Sequence, residues 1–130
     1  MNHLKKLAIV VLIFTVGNLS AQSLDKWSAM KTFQEVMARA YHPVEEGNLT
    51  SVKAFSQTLA DKAMELSTKE VPKEIKTEAL MKKVTLLQLK AQEVNKLVKS
   101  NASDEALKKS ITETNDIFHS IVAMSMDTKK

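Results

Sequence analysis

Few groups in this 130-residue chain can do chemistry. Apart from His3 there are two histidines, His42 and His119, and there is no cysteine. No Gly-rich phosphate loop, Ser-His-Asp pattern or His-Glu-x-x-His sequence occurs. Hydrolytic and nucleophilic catalysis therefore lack a starting set of residues, and no enzyme is expected. What remains is imidazole, carboxylate and thioether, the side chains that bind metal ions and cofactors. His42, Glu45 and Glu46 stand within one seven-residue stretch ending at Asn48. An imidazole with two carboxylates suits zinc or oxidised copper, and Asn101 or Asp104 could supply a fourth ligand. The same carboxylates, just ahead of a helix, also favour its positive N-terminal end. Met30, Met124 and His119 form the second set, and thioether with imidazole suits monovalent copper. Met30 also reads as core filling, and His119 lies at the margin of its apolar stripe, where an exposed histidine is equally in place.

These residues must be positioned by helices. Beyond residue 21, Gly occurs only at position 47 and Pro only at 43 and 72. Such scarcity argues against a tightly turned sheet and for long helices with few joints. A first helix over about 24–41 carries Trp27, Met30, Phe33, Met37 and Tyr41 at spacings of three and four, which makes one face. It should stop at His42, because the residue before a proline is pushed out of helical geometry. A second helix over about 48–66, capped by Asn48, turns Val52, Phe55, Leu59, Ala63 and Leu66 inward. A third begins at Pro72, a residue suited to a first helical position, and buries Leu80, Val84, Leu87, Ala91, Val94 and Val98. A fourth follows the cap Ser103, with Asp104 and Glu105 in its positive first turn. Leu107, Ile111, Phe118, Ile121 and Val122 face in, and residues 127–130 fray. The expected fold is all-α, an antiparallel up-down-up-down four-helix bundle over residues 22–130.

Residues 1–21 read as a cleaved signal peptide. Lys5 and Lys6 precede the ten-residue apolar run 7–16, and small and polar residues lead to Ala21, as signal cleavage requires. The run is well short of the ~20 residues that span a bilayer, so no membrane span is expected in the mature form. Without a cysteine there is no lipid anchor. Loss of the leader takes the formal charge from +4 to +2 by removing Lys5 and Lys6, so nothing points to nucleic acid. The expected location is periplasmic or secreted, with a core held together without disulfides. Covalently attached haem, which needs Cys-x-x-Cys-His, is excluded. The sequon Asn48-Leu-Thr50 reads as coincidence in a chain with a bacterial leader.

Bundle topology fixes heights. At ~1.5 Å rise per residue, Met30 lies roughly 18 Å below His42, and His119 lies roughly 24 Å below the Ser103 cap. Met30 and His119 thus share a depth near one pole, with Met124 a little beyond. A methionine early in the first helix and a histidine late in the fourth resemble the haem-ligand arrangement of the cytochrome b562 family. Residues 115–119, with Phe118 just before His119, look like that family's final helix, and residues 24–30 look like its opening. The resemblance implies a periplasmic bundle with non-covalent haem b between Met30 and His119, engaged in electron transfer with a redox or protein partner. The segment 42–47 has no counterpart in that family. Two alternatives stand beside it: a copper- or zinc-binding protein, and a helical interaction module without a cofactor.

Overall fold

The computed structural model describes residues 26–68 and 71–127, which form four helices and no strand. They are α1 (Ser28–Glu45), α2 (Thr50–Thr68), α3 (Glu78–Lys99) and α4 (Asp104–Asp127). The leader expected over 1–21 lies outside the described residues, as do Leu24 and the last three residues. Among the described residues no helix is long and apolar enough to cross a membrane.

The apolar stripes build one core. Met30, Phe33, Met37 and Val44 of α1 meet Val52, Leu59, Ala63 and Leu66 of α2, Leu80, Val84, Leu87, Ala91 and Val94 of α3, and Leu107, Ile111, Phe118 and Ile121 of α4. Burying a large aliphatic or aromatic side chain contributes roughly 1.5–3 kcal/mol, so this set outweighs any surface ion pair. Consecutive helices pack closely, giving the expected four-helix bundle, whereas α1 and α4 touch least of the four neighbouring pairs. Phe33 and Phe118 bridge that seam with ring centroids 5.8 Å apart.

Two helix boundaries differ from expectation. The first helix runs through Pro43 to Glu45 instead of stopping at His42. Pro43 sits in the last turn, where its ring removes only the bond an amide there would have donated. Buried Val44 anchors that turn in the core. The end closes as a Schellman motif: the Asn48 amide donates to the Pro43 carbonyl at 2.9 Å, and the Gly47 amide to that of Val44 at 2.9 Å. Gly47 takes φ +85° there, a left-handed conformation suited to glycine. The third helix starts at Glu78, not at Pro72. Extended Thr77 caps it, its Oγ1 accepting from the Leu80 amide at 3.1 Å. Pro72 instead opens a separate turn, with the Ile75 amide donating to its carbonyl at 3.2 Å. That turn drops Ile75 into the core, and a helix continuous from Pro72 would not provide it. The Asn48 and Ser103 caps are as expected, accepting from Thr50 at 2.9 Å and Ala106 at 3.2 Å.

Candidate functional site: the cleft between the first and last helices

The loosely closed α1–α4 seam holds a cleft of about 270 Å³. One strip of α1 forms its first wall: Gln34, Met37, Ala38, Tyr41, His42 and Glu45. Their spacings of three, four, seven, eight and eleven trace a single helical ridge, beside the stripe that faces the core. Asn115, Phe118 and His119 of α4, spaced three and four apart, form the other wall. The floor is apolar, since Met37 and Phe118 are almost fully buried, while both imidazoles stand exposed on the walls.

One groove runs past both groups, but the Phe33–Phe118 contact keeps His119 near the level of Phe33, with His42 nine residues, roughly 13 Å, further along α1. The longer α1 keeps His42 and Glu45 on the helix, and the ridge carries them along the same groove as His119. The His42 Nδ1 lies 3.5 Å from Glu45 Oε1. The His119 ring lies 5.4 Å from that of Phe118 at 57°. Gln34, Tyr41, Asn115 and His119 make no side-chain hydrogen bond among the described residues. Their polar atoms are available to a guest.

Other expected site residues fall elsewhere. Met30 is wholly buried within the core and does not line the cleft. Glu46 is exposed beyond the end of α1, away from the cleft walls. Met124 is half-buried against the core. Asp104 pairs with Lys53 at 3.5 Å, and Asn101 holds the α3 terminus with φ 55°. Among the described residues no three His, Asp or Glu side chains already surround a common point. The thioether that shares the cleft with His119 is Met37, which sequence reasoning had assigned to the core alone. The spacing of Gln34, Ala38 and His42, matched by Asn115 and His119, could have shown the ridge, but only once the two helices were known to face each other.

No known protein family matches the chain, and neither does any curated protein or solved structure.

Proposed function

We propose that this bundle is a metal-binding protein whose α1–α4 cleft offers an imidazole, that of His42 beside Glu45 or that of His119, to a transition-metal ion, copper or zinc. One observation carries the reading: a histidine from each of two helices lines the same cleft, at the seam where the bundle is least closed. Imidazole suits both ions, and Glu45 behind His42 supplies the outer-shell carboxylate that metal-bound histidines commonly have. Its role is carriage or buffering rather than catalysis, and residues 1–21 support a site of action that is periplasmic or secreted.

Haem b, which the family resemblance implies, is the second reading, and one observation favours it: His119 lines the seam between the first and fourth helices. The pairing of Met30 with His119 does not fit the present geometry. The Met30 sulfur lies in the core, and a porphyrin belongs well inside the ~300–1,000 Å³ range of enclosed ligand pockets, whereas the cleft holds about 270 Å³. Haem there requires the seam to open.

The test is thermal unfolding with zinc, cupric and cuprous ions and haemin in turn. A metal at a hundred times its Kd stabilises by about 2.7 kcal/mol, a rise in Tm on the order of 10 °C for a domain of this size. Of His42→Ala and His119→Ala, the one that removes the ligand should abolish most of that gain and the other should leave it. A reduced low-spin haem spectrum that disappears in both Met30→Ala and His119→Ala would replace the metal reading with the haem one. Indifference to every ligand would leave a cofactor-free helical interaction module.

A further inference from the structure

We infer that the outer face of α3 pairs with the same face of a second copy of this chain, antiparallel and about a two-fold axis. This surface is separate from the cleft, because α3 packs on α2 and α4 and lies diagonal to α1. Large apolar side chains stand exposed at three places among the described residues: Leu89 at 58%, Met64 at 45% and Leu86 at 38%. Two of them belong to one ridge of α3. Glu78, Lys82, Leu86, Leu89, Glu93 and Lys96 follow one another at spacings of four, four, three, four and three, which keeps them on one helix face. All six are exposed, and the apolar stripe of α3 points the other way, into the core. Met64 borders the ridge from α2, its sulfur 2.8 Å from Gln92 Nε2.

The charges choose both the occupant and its direction. In an antiparallel pair centred between Leu87 and Gln88, Leu86 of one copy meets Leu89 of the other. Lys82 then faces Glu93, and Glu78 faces Lys96, each twice by symmetry. Every charge on the ridge meets its opposite. A parallel pairing would set Lys82 on Lys82 and Glu93 on Glu93, which like-charge repulsion disfavours. The ridge is therefore self-complementary in one direction alone. Its charges can also re-pair. Glu93 holds Ser110 and Lys90 through Oε2, which leaves Oε1 for the other copy. Lys82 and Glu78, 3.6 Å apart, have side chains 77% and 87% exposed, so their own contact is weak. A single helix face is at the small end of protein interfaces, so the dimer is weak too, with a Kd on the order of 100 μM.

The experiment is sedimentation equilibrium over about 10 μM to 1 mM protein, purified from cells expressing the whole chain and without added metal. Dimer should dominate at the top of that range. Leu89→Ser, Lys82→Glu and Glu93→Lys should each weaken it by about tenfold or more. Mixing Lys82→Glu with Glu93→Lys should restore association to within about threefold of the parent, because each variant supplies the charges that the other lacks. Trp27, the single tryptophan and fully buried, reports through its fluorescence that each variant is folded. A parent chain that stays monomeric throughout overturns the proposal, as does a dimer indifferent to Leu89→Ser or to Lys82→Glu. Monomeric protein that sediments with phosphatidylglycerol vesicles, and no longer does so as Leu89→Ser, would give the face to an anionic lipid surface instead. His42→Ala and His119→Ala should leave the dimer unchanged, so failure of the metal reading leaves this one standing.

Discussion

The α2–α3 and α1–α4 seams use similar residue types to opposite ends. Across α2–α3 the polar side chains satisfy one another. Ser56 donates to Asn95 Oδ1 at 3.0 Å, Asn95 Nδ2 donates to Gln57 at 3.0 Å, and Gln88 Nε2 reaches both the Ala63 carbonyl and Ser67 Oγ at 3.0 Å. Even the exposed Met64 sulfur accepts from Gln92 Nε2 at 2.8 Å. A surface hollow of about 320 Å³ on that seam is lined in part by Gln57, Met64, Gln92 and Asn95, whose polar atoms are already engaged. Across α1–α4 the amides, phenol and imidazole face the groove without such partners, and the contact is chiefly aromatic. A satisfied polar seam fixes which helices pair and in what register. The polar groups of the α1–α4 seam stand exposed or half-exposed instead and fix no register.

The largest effect should come from breaking the aromatic tie. Phe33 is wholly buried and Phe118 nearly so. Phe33→Ala should destabilise by about 3–5 kcal/mol, a large part of the 5–15 kcal/mol typical of a folded domain. Urea denaturation followed by Trp27 fluorescence measures it. A loss under about 1 kcal/mol would mean that the rings do not hold the seam and that α1 is fixed almost wholly by α2.

Smaller, and aimed at the contrast itself, is a pair of polar truncations. Asn95→Ala leaves the Ser56 hydroxyl, itself 3% exposed, without its acceptor, which should cost about 1–3 kcal/mol. Asn115→Ala in the cleft removes an amide that ties nothing together and should stay within about 0.5 kcal/mol. Comparable losses from the two would erase the distinction between an engaged seam and an available one.

The same contrast explains what the sequence could and could not disclose. Periodicity within a helix is local information, so the inward positions of α2, α3 and α4 were legible almost residue by residue, as were the Asn48 and Ser103 caps. Val98 and Val122 are half-buried at the edges of their stripes, whereas Phe55, expected inward, lies half-buried outside the core cluster and Ser56 takes the buried position. Two boundaries depart from what their prolines alone dictate. At Pro43 the buried Val44 and the Gly47 closure outweigh the local preference, and at Pro72 the burial of Ile75 demands a turn. The candidate site was legible only in part. His42, Glu45 and His119 were each visible as donors, but which of them share a groove depends on the facing of two helices about sixty residues apart in sequence. Met30 follows from depth and from the family resemblance of residues 24–30, whereas rotation about the α1 axis decides that Met37 is the methionine bordering the cleft.

The α3–α4 seam stands between the other two, because charge ties it. Lys90 Nζ lies 3.0 Å from Glu113 Oε1 and 3.5 Å from Glu93 Oε2, and Glu93 also accepts from Ser110 Oγ at 2.8 Å. The hydrogen bond to Glu113, aided by Glu93 and opposed by partial desolvation, raises the Lys90 pKa above its ordinary 10.5. A lysine whose folded pKa is raised stabilises the fold fully below its unfolded value, and that contribution disappears as pH rises through the folded value. The network is partly exposed, so its worth is about 1 kcal/mol or less. Lys90→Met should therefore show a small, constant deficit in denaturation midpoint between about pH 7 and 9, and the gap to the parent chain should close once the pH has passed the raised folded value. A deficit that persists undiminished at that pH would assign the role of Lys90 to the packing of its aliphatic stem, leaving α3–α4 an apolar seam with charges at its rim.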